Sequence, residues 1–368
     1  GNNYTVLYEI DGKKYACPTN AQDILVIGES GVEKRIELDK KVEKGQAFCV
    51  SWKHHKYLIL LPLKYPAVVR YDTVTGEIRY FKENIDVFVK EKDGQNITGG
   101  SLVYRDTVYI ASPVDNMLYM LHIESGEIQI IQLPVKNMGG YMSLVVYMKE
   151  IWFLPYKGKY IVRWDPMTGE AREYTDFPKD FMGINPTNGC ECEEYLFSIP
   201  AFYKEYMYLA PNWGNMYLKL NIDTGECIQW NPPFEDGEGK EYFFTTSKSS
   251  FLMRSEEEES SDFKIYSYPK RKLYSIKPAE NTCKEIEINF DKEELRKHKA
   301  GFYEYSKELK YVCVENAFNS LSAFLDGVVA GRQFDENKQL AVYQEIVANM
   351  DGNCGNKIYE FTKNKINS

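Results

Sequence analysis

Five segments of this chain fall into one register when aligned on a glycine: VIGESGVEKRIEL, VRYDTVTGEIRYF, LHIESGEIQIIQL, VRWDPMTGEAREY and LNIDTGECIQW. The glycines are Gly31, Gly76, Gly126, Gly169 and Gly225, spaced 45, 50, 43 and 56 residues apart, and each follows a Ser or Thr. A tight turn between antiparallel strands needs a residue with φ > 0, which Gly supplies without steric cost. Asp72, Asp165 and Asn221 lie four residues before their glycines, where a side-chain oxygen can hold the backbone N–H groups of the turn. A second landmark keeps the same step. Pro18, Pro62, Pro113, Pro155 and Pro211 close apolar runs in YACP, LILLP, YIASP, IWFLP and MYLAP. Proline cannot donate to a strand ladder, so it belongs at a strand end.

Another short apolar run precedes each of these: TVLYEI, AFCVSW, SLVYR, MSLVVYM and SIPAFY. Four strands per unit at this period predict an all-β chain, a β-propeller of four-stranded antiparallel blades. A sixth unit lies within 241–290, with FKIYSYP as its second strand, ending near Pro269, and KLYSIKPAENTCKEIEI as the closing hairpin. GFYEYSKELKYVCVEN then supplies two strands of another unit, which a ring uses to complete a blade from both termini. Six blades are expected, with seven as the alternative. From Asn319 the apolar spacing becomes helical, at Leu321, Phe324, Leu325, Val328 and Val329 and again at Leu340, Val342, Tyr343, Ile346 and Val347. The expected division is therefore a propeller over 1–317 and a helical extension over 318–368, packed on the propeller.

Composition narrows the function classes. The 29 Tyr and 19 Phe among 368 residues suit pleated surfaces. A net charge of −9 without a basic run argues against a nucleic-acid partner. No apolar run reaches membrane-spanning length. Eight scattered Cys, mostly within apolar strand patterns, read as reduced thiols and favour a cytoplasmic setting, with an exported form open if a segment once preceded Gly1.

In a four-stranded blade the loop between the second and third strands shares one rim with the link to the next blade. Residues on that rim are the candidate ligand-binding set: Tyr65, Asp115, Asn116, Tyr156, Lys157, Glu193, Glu194, Asn212 and Trp213. Aromatic faces stack on sugar rings while amides and carboxylates bind hydroxyls, so a carbohydrate-like ligand fits this inventory. The glycine pairs Gly99-Gly100 and Gly139-Gly140 open the inner strands and permit close backbone approach. No metal or cofactor is expected. Cys190-Glu191-Cys192 lacks a partner CxxC, and His54-His55, on the opposite rim, lack a third ligand and read as solvated. Four dispersed His offer no nucleophile–base constellation.

The phrase IWFLPYKGKYIVRWDPMTGE resembles blades of the virginiamycin B lyase-like and related bacterial propellers, over about residues 4–315. That resemblance implies the propeller fold; the family's catalysis would also imply a His/Glu magnesium site in the channel, and no His stands at an equivalent inner position here. DGNCGNKIYEF, at 351–361, resembles C-terminal helices of bacterial cell-surface polysaccharide enzymes. The expectation is a non-catalytic binding or scaffold propeller presenting its loop rim to a carbohydrate-like ligand or protein partner. The alternative is a carbohydrate-active lyase or hydrolase working through carboxylates such as Asp115, Glu193 or Glu194.

Overall fold

The computed structural model describes residues 3–287 apart from 29–30, 44, 84, 86–88, 93–94, 138, 186–188, 235–249, 254–261 and 268–271. The chain divides into two compact units, Gly1–Phe290 and Asp291–Ser368. The expected boundary at 317/318, the two-strand remnant and the C-terminal helices lie outside the described residues, as does Pro269.

Each repeat in the sequence folds as one meander. Six four-stranded antiparallel sheets cover residues 4–37, 48–81, 101–132, 141–174, 201–229 and 250–286, and in each the strands lie in chain order. The middle two strands are the buried ones: Tyr57–Pro62 and Val68–Asp72 are buried throughout, whereas Gly31–Glu37 and Ile128–Gln132, both fourth strands, are largely exposed. Two buried strands flanked by two half-exposed ones leave both faces of a sheet apolar near its middle. Each face must find a partner.

The partner is always the next sheet in the chain. Cys17, Ile24 and Val26 of the first sheet pack with Phe48, Leu58 and Val69 of the second. Ile59 and Leu61 meet Val108 and Tyr119, and Ala111 and Leu118 meet Phe153 and Val162. Trp152 and Ile161 meet Met207 and Leu218, and Tyr208 and Tyr217 meet Phe263 and Ile265. Four-stranded meanders stacked face to face in chain order make this an all-β propeller. Among the described residues there are six complete four-stranded sheets.

The fourth-strand turns are built as the repeat implies. Gly76, Gly126, Gly169 and Gly225 have φ of 75°, 77°, 75° and 89°. Asp72 Oδ1 accepts from the N–H groups of Val74 and Thr75 at 2.9 and 3.0 Å, and Asn221 Oδ1 accepts from Asp223 and Thr224 at 3.0 and 2.9 Å. In the sixth sheet Phe263–Ser267 is the second strand, and Asn281, at φ 48°, stands in its last turn. The long intervals of 50 and 56 residues have a structural cause. Extra two-stranded ribbons, Lys90–Lys92 with Gln95–Ile97 and Gly183–Ile184 with Glu191–Cys192, are inserted in the links to the third and fifth sheets.

Candidate functional site

Antiparallel meanders divide their connections between two rims. One carries the second-to-third-strand loops and the sheet-to-sheet links; the other carries the first-to-second and third-to-fourth-strand turns.

On the loop rim, backbone bonds tie three of the links to the loop of the sheet before them. Ala47 N–H donates to Thr19 O at 2.9 Å, Tyr141 N–H to Ser112 O at 2.9 Å and Tyr195 N–H to Tyr156 O at 3.0 Å. At Gly140 the missing side chain makes this approach possible: a Cβ there would lie 1.9 Å from the carbonyl carbon of Pro113. Gly99 admits a different neighbour, Ala111 O of the sheet that its link enters, which a Cβ would approach to 2.1 Å. Equivalent positions of successive sheets converge on a cavity of about 210 Å³. It is lined by Cys49 and Leu63, by Ile97, Thr98 and Pro113, by Met142 and Tyr156, and by Tyr195. Residues from four consecutive repeats can meet in one small cavity only if those sheets are arranged about a common axis. Burial pushes the Cys49 thiol up, with the Thr98 hydroxyl opposing, so the thiol there is protonated and a poor nucleophile at neutral pH.

Beside this cavity the rim gathers part of the candidate set. Lys157 and Glu194 face each other in an antiparallel bridge, and Gly158 N–H donates to Glu193 O at 2.9 Å. Trp213 N–H donates to Tyr195 O at 2.9 Å and Asn212 N–H to Leu196 O at 3.1 Å. Tyr195 stands edge-on between Tyr156, at 4.9 Å between ring centroids, and Trp213, at 4.8 Å. Tyr156, Lys157, Glu193, Glu194, Asn212 and Trp213 therefore belong to one patch. The remaining candidates do not join it. Tyr65 is buried, stacked on Phe48, and donates its hydroxyl to Asp39 at 2.5 Å. Asn116 is buried, with Nδ2 donating to Leu133 O at 3.1 Å. Asp115 Oδ1 accepts from Met117 N–H at 3.1 Å, within its own turn.

Tyr195 was not among the residues singled out from the sequence. Its φ is 52°, a conformation that costs a bulky side chain about 1–3 kcal/mol and recurs at binding sites. The other non-glycine residues with φ > 0 sit in hairpin turns: Asp11, His55, Arg105, Met148, Lys149 and Lys204 between first and second strands, and Asn281 between third and fourth. Tyr195 alone among the described non-glycine residues adopts it in a link, where an aromatic directly after CECEE was the one available signal.

On the turn rim, His54 and His55 acquire a neighbour that the sequence did not reveal. His54 Nε2 lies 3.1 Å from Asp106 Oδ1, across the boundary between the second and third sheets. The hydrogen bond to His54 holds the Asp106 carboxyl below the usual range; burial opposes this, and His55 and His122 assist. Asp106 occupies the same two-residue turn in its sheet as Lys56 does in the second, so aligning the hairpins was the missed route to it. Arg70, also near this rim, is buried and bridges sheets, donating to Ile123 O at 3.0 Å and Glu124 O at 2.9 Å. Arg163 and Lys219, at its repeat position, stay within their own sheets, over Trp152 and Tyr206. The six described Cys are free thiols. No helix among the described residues is long and apolar enough to cross a membrane.

No protein-family model and no curated protein sequence matches the chain. Among solved structures it is similar to virginiamycin B lyase from Staphylococcus aureus, at 14% identity and a TM-score of 0.47, over 77% of this chain and 84% of that one. It is also similar to AztD from Citrobacter koseri, at 12% identity and 0.43, over 78% and 72%. A third is Hsv2 from Kluyveromyces lactis, at 6% identity and 0.47, over 78% and 86%. The fold assignment rests on the sheets themselves.

Proposed function

We propose that this chain is a non-catalytic binding propeller whose loop rim takes a carbohydrate-like ligand at Tyr156, Tyr195 and Trp213. The observation that carries the reading is this aromatic row beside the axial cavity, bordered by Lys157, Glu193, Glu194 and Asn212. Aromatic surface next to a few amide, ammonium and carboxylate groups is what a polyhydroxylated ring requires. The strained Tyr195 supports it, because the rim holds that ring in place at a conformational cost.

The enzymatic alternative needs two carboxylates facing each other across the ligand. Glu193 and Glu194 are consecutive on one link rather than on two walls of a cleft, and Asp115 is engaged by its own turn. A glycan array with the purified chain tests the binding reading. Saturable binding to a defined glycan class is expected, weakened about tenfold or more by Trp213→Ala and by Tyr156→Ala, a loss of about 1.4 kcal/mol. Absence of binding to every glycan overturns the carbohydrate assignment.

A further inference from the structure

We infer that His54, His55 and Asp106 form a binding site for a divalent transition-metal ion on the turn rim. The candidate ligand atoms of the three lie within 4.8 Å of one another. His54 Nε2 and Asp106 Oδ1 are 3.1 Å apart, while two ligands of a tetrahedral zinc ion, each about 2.0–2.1 Å from the metal, stand about 3.3 Å apart. The pair is therefore already close to the edge length of a coordination tetrahedron. Only His55 has to turn its ring to complete a third corner.

Backbone conformation explains why two consecutive histidines can serve one ion. In a continued strand they would point to opposite faces. His54 ends its strand, and His55 opens the hairpin at φ 50°, which breaks the alternation and brings the two rings to 4.2 Å between centroids. Asp106 arrives from the equivalent hairpin of the next sheet, set by Arg105 at φ 53°. The arrangement thus depends on two adjacent sheets, and no local sequence window contains it.

The neighbouring cations are engaged elsewhere. Lys56 Nζ is held by Asp72 Oδ2 at 2.9 Å, and Arg105 lies over Tyr104 with Nη1 3.2 Å from Met167 Sδ. Two imidazoles and one carboxylate suit a borderline ion such as zinc better than magnesium or calcium, which prefer all-oxygen ligands. Three protein ligands leave a coordination position for water or an added ligand. The three residues line a cavity of about 510 Å³, together with Asp11, Tyr57 and Glu124 among others.

Calorimetric titration of the chelator-stripped full chain with zinc chloride tests the site. One equivalent bound with saturation is expected, and His54→Gln, His55→Gly and Asp106→Asn should each weaken binding at least about tenfold. Glycine at 55 accepts the positive φ, and the other two changes keep side-chain size, so thermal melts should stay close to the parent. Cobalt(II) substituted at the site should show no thiolate charge-transfer band, and Cys190→Ser with Cys192→Ser should leave affinity unchanged. Failure to bind zinc stoichiometrically, or binding that survives the His and Asp substitutions, overturns the inference. So does binding lost with the two cysteines.

Discussion

Glycine does different work on the two rims. On the turn rim Gly76 and Gly169 both have φ of 75°, and a Cβ on either would meet nothing within 4 Å. On the loop rim Gly140 has no unusual φ, yet a Cβ there would run into Pro113 C, Pro113 O and Val114 N at 1.9, 2.1 and 2.3 Å. The first kind is needed for conformation and the second for space. The turns at Gly76 and Gly169 close on themselves, whereas the link at Gly140 passes over the loop of the preceding sheet at backbone contact distance. Both rims join neighbouring sheets, the turn rim through side chains such as Arg70 and His54 and the loop rim through backbone bonds.

Substitution at Gly140 separates these roles most strongly. Gly140→Ala sets a methyl against fixed backbone and should cost about 3 kcal/mol or more, read as a lowered denaturant midpoint. Gly76→Ala has room but must hold alanine in the left-handed region, at about 1–2 kcal/mol. Equal losses for the two would break the contrast.

The same contrast governs what could be read in advance. Turns repeat because each is solved by a few adjacent residues, so Gly169 and Asp165 announce a hairpin without reference to the rest of the chain. Even so, the sixth sheet uses Asn281 in its last turn, outside the glycine register. The ribbons at Lys90–Ile97 and Gly183–Cys192 left only a lengthened interval as a trace, since strands of two or three residues carry no alternation. Residue type placed Tyr65 and Asn116 on the loop rim, yet both turn inward to Asp39 and Leu133, because a loop's polar residues can serve its own carbonyls as readily as a ligand. Asp106 was invisible beside His54 for the opposite reason: its partner lies 52 residues away, in another sheet.

A smaller effect tests how self-contained the turn rim is. In the second sheet Asp72 both caps its turn and pairs with Lys56; in the fifth, Asn221 caps an equivalent turn through its side-chain amide oxygen. Asp72→Ala should therefore cost about 2 kcal/mol and Asp72→Asn about 1, because the amide keeps the cap and loses only the charge. Burial raises the Asp72 carboxyl, but the N–H of Thr75, the Lys56 ammonium and the N–H of Val74 outweigh it and bring its pKa from 3.8 to about 2. A carboxyl held low in the folded state contributes stability above pH 3.8 that is lost as pH falls through about 2. The stability gap between the parent and Asp72→Asn should close over that window in acid-unfolding curves. A gap that is independent of pH would remove the charge from the account of this turn.

Thiol reactivity gives the gentlest probe of the loop rim. Cys17 lies in the core between the first two sheets, where burial pushes its thiol up to about 12, with the Ser51 hydroxyl opposing. A thiol with that pKa is about one part in ten thousand thiolate at pH 8, so it should stay unmodified by iodoacetamide until the protein unfolds. Cys190 is exposed and should alkylate first among the described cysteines. Cys49 decides the matter, since it lines the axial cavity, and its thiol is also raised by burial. If links and loops close over that cavity as the bonds at Tyr141 and Tyr195 imply, peptide mass spectrometry will find Cys49 reacting far more slowly than Cys190. Equal rates would mean the rim opens on the timescale of alkylation, and the close backbone approach that its glycines permit would not be what seals it.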